Sequence, residues 1–382
     1  MFNAFTEKVL PLEDLPVPYL PGWEEAVAYW PEIETALRIR ATEERLLQLF
    51  GEGKLYGTVH TCIGQEWSAV AVGRALQPQD YVFSNHRCHG HFLAYGGSVQ
   101  GLIAEVMGKR DGVCGGRGGS QHLCYNRFFS NGIQGGIAPV TAGLAWARQM
   151  EGNGGIAVVF LGDGTLGQGV LYETLNIASK WSLPILFVVE NNRYAQSTAS
   201  GETLSGQIAH RFEAFGIAGN EGNTWEWPGL LDGMARSVEA VREHGKPRFH
   251  IVDTYRLKPH SKGDDFRSPD EIKRYVSVDP LMVMQEAYAE NAEWKALTSR
   301  IKAEVDAAVA FAEASPISED GPVELEANAI RWIPAPKPSD KPRMNLAIQQ
   351  ALGRELEENA RAVFFGRTSR VLMAARSRSR EI

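Results

Sequence analysis

The run from Ile156 to Thr198, IAVVFLGDGTLGQGVLYETLNIASKWSLPILFVVENNRYAQST, constrains the fold more than any other part of the chain. It opens with a short apolar stretch, Ile156 to Leu161, rich in β-branched residues and bounded by glycines, which reads as a buried strand. Gly162-Asp163-Gly164 follows as a tight turn. A helical pattern is expected from near Thr165, with Leu171, Leu175 and Ala178 on one face, and Pro184 closes the connection. A second apolar stretch, Ile185 to Val189, runs into Glu190-Asn191-Asn192. A strand–helix–strand unit of this length predicts an α/β fold, a parallel sheet with helices on both faces. Polar groups stand just past each strand, at the edge where such sheets bind ligands.

The residue types at those strand ends point to a chemistry. Asp163 is a carboxylate flanked by glycines, so backbone and ligand can approach closely. Asn192 offers a neutral side-chain oxygen, and the peptide carbonyls after it are released as the strand ends. One carboxylate with neutral oxygens suits a hard cation that also takes oxygens from a phosphate, and magnesium is bound in this way. The helix start adds N–H groups favourable to a diphosphate. A lone Gly-Asp-Gly would be an ordinary turn; its spacing to Leu183-Pro184 and to Glu190-Asn191-Asn192-Arg193-Tyr194 argues for more.

Other candidate residues fall in order along the chain. His60 lies in TVHTCIGQE, just before a helix expected to start near Gly64, where a histidine is by default a capping or packing residue. A short strand ends in Asn85-His86-Arg87, and an arginine there can grip phosphate. His89 can be a structural hydrogen-bonder or can face a substrate. The glycine-rich GVCGGRGGSQH, residues 112–122, predicts a close-packed or ligand-hugging loop. Asn131-Gly132-Ile133-Gln134-Gly135-Gly136 opens a helix expected over Pro139–Gln149. Tyr255 to Arg267, after a strand expected over Phe249–Thr254, is charged and reads by default as a solvated loop.

Taken together, these motifs resemble the alpha subunit of the thiamine-diphosphate-dependent decarboxylating component of 2-oxo acid dehydrogenase complexes, the pyruvate, branched-chain and acetoin enzymes. The resemblance covers about residues 32–330. It implies that Gly162, Asp163 and Gly164, with Asn192, form the thiamine diphosphate motif, and that Mg2+ is held by Asp163, Asn192 and the carbonyl of Tyr194. It places His86 and Arg87 on the diphosphate, and the Gly132 carbonyl and Gln134 amide on the aminopyrimidine ring. It makes His60 and His260 the catalytic proton-transfer or orienting groups. It also implies a beta subunit in an alpha2beta2 or fused assembly, which supplies the glutamate that protonates the aminopyrimidine. The acyl group would pass to a lipoyl-bearing acyltransferase. The sequence departs from the family where Arg117 replaces a lysine, Gln121 a methionine, Gln134 an apolar residue, Pro259 a glycine and His86 an aromatic. Ser261 stands where some members are phosphorylated.

Composition narrows the remaining classes. With 382 residues, 44% apolar and 22% charged, the chain is expected to be soluble and globular, and its net charge of −7 argues against nucleic-acid binding. No apolar run reaches the roughly 18 residues of a membrane span, and the start shows no secretory signal. Cys62, Cys88, Cys114 and Cys124 form no CxxC pair and read as reduced thiols, which predicts a cytoplasmic protein. Residues 1–31 form a proline-rich arm, expected to be extended and laid across a partner. A helix is expected from Glu32 to Phe50, and two solvent-facing helices over Asp279–Ala314.

The end of the chain departs from the alpha pattern. Residues 331–342 have a linker composition. Residues 343–366 resemble the opening of a beta subunit, and residues 367–382 are Arg/Ser-rich and expected to be disordered. If the codons for Thr368–Ala375 are read one base earlier, degeneracy permits a string that continues the beta pattern, so a frameshifted or truncated alpha–beta fusion is the favoured account. Two other readings stay open: an acetoin-cleaving dehydrogenase alpha subunit, and a non-catalytic pseudo-enzyme subunit. A dinucleotide-binding α/β protein is disfavoured by the lack of GxGxxG after a strand.

Overall fold

In the computed structural model, residues 15–55, 57–261, 263, 265–319, 344–359, 362–364 and 373–374 are described. The chain divides into two compact units, Met1–Asp320 and Gly321–Ile382.

The first unit is built on strands β1 (Tyr81–Ser84), β2 (Cys124–Tyr125), β3 (Phe128–Ser130), β4 (Ala157–Gly162), β5 (Ile185–Asn191), β6 (Tyr194–Ala195), β7 (Thr198–Ala199), β8 (Ala218–Asn223) and β9 (Arg248–Asp253). Seven form one sheet in the order β2-β3-β1-β4-β5-β9-β8. All neighbours pair in parallel except β2 with β3. β6 and β7 make a separate hairpin.

Helices cover both faces. They are α1 (Trp23–Ala28), α2 (Trp30–Gly51), α3 (Glu66–Ala75), α4 (Cys88–Ala94), α5 (Val99–Val106), α6 (Ile137–Glu151), α7 (Gly169–Lys180), α8 (Ser200–Thr203), α9 (Ile208–Glu213), α10 (Trp227–His244), α11 (Pro269–Ser277), α12 (Pro280–Ala287) and α13 (Ala292–Ala314).

The central strands are apolar on both sides, and alternation sorts their side chains between two cores. Val158, Phe160, Leu186 and Val188 join Trp67 of α3 and Trp227 of α10 in one core. Those two indoles stack with centroids 4.3 Å apart. Ala157, Val159, Leu161 and Phe187 face the other way, onto Ala138 of α6 and Leu171 and Leu175 of α7. The sheet is thus buried on both faces, and the C-terminal ends of β1, β4 and β5 remain the place where polar groups can gather.

Several local expectations are revised. The helix after β4 begins at Gly169, because a 3-10 turn over Asp163–Gly167 intervenes. The N-terminal segment is not wholly extended. Trp23–Ala28 is a short helix with no proline inside it, and Pro31 sits in the first turn of α2, where its missing N–H costs nothing. Residues 15–31 also lie on their own chain. Tyr19 N–H donates to the Trp225 carbonyl at 2.9 Å, and the Trp227 indole N–H donates to the Tyr19 carbonyl at 3.3 Å. α12 and α13 are not merely solvent-facing, since Leu281, Met284, Trp294, Leu297, Ile301 and Val305 are buried.

In the second unit, α14 (Met344–Glu358) exposes Met344, Leu346, Ile348 and Leu352. β10 (Val363–Phe364) pairs antiparallel with β11 (Met373–Ala374), a strand inside the segment expected to be disordered. The predicted linker, residues 1–14 of the arm and residues 375–382 of the tail lie outside the described residues.

Candidate active site

The site starts where β4 ends. Gly162 lines a cavity of about 390 Å3. A Cβ added there would meet no protein atom within 4 Å, so the backbone presents a bare surface to a ligand. A Cβ on Gly164 would come 2.6 Å from that of Ala195, so glycine is required for the β6–β7 hairpin to pack on the turn. Asp163 between them is buried. Its Oδ1 accepts the Gly164 N–H at 2.8 Å, while its Oδ2 is buried without a hydrogen-bond partner among the described residues. Burial pushes its pKa up to about 6, against the pull of the Gly164 and Arg193 backbone N–H groups.

The end of β5 supplies the facing oxygens. The Asn191 amide donates to Asp253 Oδ1 at 2.7 Å, tying β5 to β9. Buried Asn192 then turns the chain, its Oδ1 accepting the Tyr194 N–H at 3.1 Å. Arg193 and Gln196 take positive φ, 69° and 58°, as the backbone folds into the hairpin. The Tyr194 hydroxyl donates to Glu271 of α11 at 2.9 Å and holds that hairpin in place.

β1 contributes a buried cation. The Asn85 side chain bridges two elements: its Oδ1 accepts the Arg87 N–H at 2.8 Å, and its amide donates to Glu190 at 3.2 Å. The Arg87 guanidinium donates to the Thr61 carbonyl at 2.8 Å and to His260 Nδ1 at 2.9 Å. Among the described residues no carboxylate lies within ion-pair distance of it. Burial, with Arg256 nearby, pushes its pKa down to about 9. A buried arginine lacking a carboxylate invites an anion.

Three histidines close the other side. Gly64, at φ 96°, lets the loop after β9 pass against the loop before α3, with the Leu257 N–H donating to the Ile63 carbonyl at 3.0 Å. That contact brings His260 to His60, ring centroids 4.8 Å apart, and His86 stands 4.9 Å from His60. His86 Nδ1 meets the Gln134 amide at 2.7 Å, and Gln134 Oε1 accepts the Thr165 hydroxyl at 3.2 Å. Burial, then Arg87 and the other two histidines, holds His86 well below its ordinary pKa, so it is neutral near pH 7.

The residues that the resemblance assigns to cofactor, metal or catalysis all line this one cavity: His60, His86, Arg87 and His260; Gly132 and Gln134; Gly162, Asp163 and Gly164; Asn192 and Tyr194. His89 does not. It is fully buried between Glu43 Oε2 and the Ser120 carbonyl, each at 3.0 Å, and its role is structural. Of the two alternatives for the glycine-rich loop, close-packed or ligand-hugging, most of it takes the first, because it wraps a protein group. The buried Glu105 carboxylate accepts N–H bonds from Cys114 at 2.7 Å, Gly116 at 2.8 Å, Gly118 at 2.6 Å and Gly119 at 3.1 Å. Only Gln121 at its end reaches the cavity.

Sequence reasoning missed Gln65, Asn85, Gln168, Glu190 and Gln196 on the cavity wall. Glu190 had a signal, a charge ending an apolar strand. It is buried against His91 at 3.0 Å. Burial would raise its pKa, but His91 and its hydrogen bonds bring it below the usual carboxylate value.

The donors fit a cation bound together with an anion. Among the described residues no cluster of three or more His, Cys, Asp or Glu forms a metal cage. A cation here would therefore rest on one carboxylate, one amide, a peptide oxygen and oxygens of the ligand itself, a set suited to magnesium.

Fold and site define an α/β protein with its ligand pocket at the carboxyl edge of a parallel sheet. The chain belongs to the dehydrogenase E1 component family, whose model matches residues 34–320. It is similar to the pyruvate dehydrogenase E1 component subunit alpha of Rickettsia bellii, with 34% identity covering 79% of this chain and 95% of the relative. The corresponding Zymomonas mobilis subunit is 35% identical, covering 83% and 93%. The alpha subunit of the acetoin:2,6-dichlorophenolindophenol oxidoreductase of Bacillus subtilis is 31% identical, covering 78% and 92%. The chain is thus an alpha subunit of the 2-oxo acid dehydrogenase type, and the family match ends where the first compact unit ends.

Proposed function

We propose that this chain binds thiamine diphosphate and Mg2+ at the carboxyl edge of its sheet and, with a beta subunit, decarboxylates a 2-oxo acid. The observation that carries this reading is the buried Oδ2 of Asp163, unpartnered among the described residues, in the same cavity as Arg87, a cation with no carboxylate beside it among those residues. Magnesium would take Asp163, Asn192 and the Tyr194 carbonyl. Arg87 and His86 would hold the diphosphate, and the Gly132 carbonyl and Gln134 backbone amide the aminopyrimidine. Bound thiamine diphosphate supplies the electron sink for decarboxylation.

The chain's own residues orient the reactants and move protons. Arg87 fixes the tautomer of His260, because a guanidinium only donates and Nδ1 must accept. His260 therefore carries its proton on Nε2 when neutral. His60 and His260 would place proton-donating nitrogens at the substrate carbonyl. The acyl product would pass to a lipoyl-bearing acyltransferase, in the cytoplasm. A second reading, cleavage of acetoin, is favoured by the Bacillus subtilis match.

We assign residues 32–330 to the cofactor-binding domain, 331–342 to a linker, and 343–366 to a remnant of a beta-subunit opening. On this reading a beta subunit completes the site. The test is 2-oxo acid-dependent reduction of an artificial electron acceptor, by the chain alone and with a family beta subunit. Activity should require the beta subunit; robust turnover by the 382-residue chain alone would overturn the account.

A further inference from the structure

The cavity wall is unusual in chemistry for a site that is to hold an acyl chain. Five glutamines line it: Gln65, Gln121, Gln134, Gln168 and Gln196. Among the described residues no Leu, Ile, Val, Met or Phe side chain does. A hydrocarbon substituent here would strip water from amides and give nothing back, whereas a polar one exchanges hydrogen bonds for hydrogen bonds.

Gln121 is the glutamine best placed to act on substrate, because it touches His60. Its amide nitrogen meets His60 Nδ1 at 3.1 Å and the Thr58 hydroxyl at 3.4 Å. Both amide hydrogens are thereby engaged. Its Oε1 accepts no hydrogen bond among the described residues, and a Cβ added to Gly132 would lie 2.2 Å from that oxygen. The carbonyl of Gln121 therefore lies over Gly132, on the cavity wall, between His60 and the backbone assigned to the aminopyrimidine.

The position is also rigid. The Gln121 peptide carbonyl accepts the Ser130 hydroxyl at 2.8 Å, and the neighbouring Ser120 carbonyl meets His89. Upstream, the same loop is fastened to Glu105 by the four N–H bonds described above. A fixed acceptor without a donor, beside an orienting histidine, selects for a substrate that brings a donor.

We propose that Gln121 is a specificity-determining residue, and that the substrate is a 2-oxo acid whose acyl substituent carries a hydroxyl group, which donates to Gln121 Oε1. This inference rests on the thiamine diphosphate reading above. Hydroxypyruvate and 2-oxobutanoate are a near-isosteric pair differing in CH2OH against CH2CH3, so they isolate the hydroxyl.

The experiment compares kcat/KM for these two acids in the enzyme assembled with a beta subunit, and measures thiamine diphosphate affinity by calorimetry in the same samples. The native enzyme should prefer hydroxypyruvate by about 10-fold or more, the worth of one well-placed hydrogen bond. Gln121→Met should reduce that preference to within about threefold while cofactor affinity stays native. Gln121→Glu keeps an acceptor oxygen and should retain the preference even where both rates fall, which separates lost specificity from a damaged site. A loaded native enzyme that prefers 2-oxobutanoate, or a preference unmoved in Gln121→Met, overturns this inference alone. Failure of the native assembly to bind thiamine diphosphate overturns the cofactor reading and this inference with it.

Discussion

Replacing Glu105 by glutamine tests the claim that the glycine-rich loop is shaped by a buried carboxylate. In the native protein each Glu105 oxygen accepts two backbone N–H groups, Oε2 from Cys114 and Gly116, Oε1 from Gly118 and Gly119. Glutamine keeps one oxygen and sets an NH2 against the other pair, so two donors lose their partner. Each orphaned donor costs about 1–3 kcal/mol when buried. The loop residues are half-buried and can recover some bonds to water, so the lower part of that range applies, about 2–4 kcal/mol in all. Urea denaturation of the full chain measures this directly, with an unchanged m-value as the control for two-state behaviour. Limited proteolysis should also cut faster between Gly112 and Gln121. A loss under about 1 kcal/mol with native protease resistance would refute the reasoning, because the loop would then hold its shape without the charge.

Two further expectations follow from the same structure. His250 is fully buried with Nε2 unpartnered, and burial, with Arg236 and Arg248 nearby, pushes its pKa down to about 4 from 6.5. Its contribution is complete above pH 6.5 and is lost as pH falls toward 4, roughly 3 kcal/mol in all; His250→Gln should flatten that part of the melting-temperature profile, and an unaltered profile would remove His250 as its source. Gly64 sits at φ 96°, and a Cβ there would lie 2.3 Å from the Tyr255 carbonyl oxygen. Gly64→Ala should destabilise the chain by about 2–4 kcal/mol and lower turnover by parting His260 from His60; a native melting temperature would contradict it.

The sequence made β4, β5 and their polar ends legible because a strand buried on both faces is written as a continuous apolar run. The groups that gather at one sheet edge could then be placed by topology, as Asp163, Asn192 and Arg87 show. What could not be read were pairings between distant elements. The glycines of residues 112–122 announce a close approach, but not that the approached group is Glu105, whose charge, the only one in its helix, was the available sign. His89 similarly waits for Glu43, 46 positions away. The delayed start of α7 is a tertiary effect, since the hairpin packing on Gly164 sets the 3-10 turn that precedes it. Gln121, opaque as a letter in a motif, gained meaning only when His60 and Gly132 were beside it.

The central claim is that Asp163 anchors a magnesium–diphosphate pair at the end of β4. Calorimetric titration of thiamine diphosphate into the enzyme assembled with a beta subunit, with and without Mg2+, tests it most directly. The account predicts binding that depends on Mg2+ in the native protein, and in Asp163→Ala an affinity at least about 100-fold weaker and indifferent to Mg2+. Native, Mg2+-dependent affinity in Asp163→Ala would contradict the account.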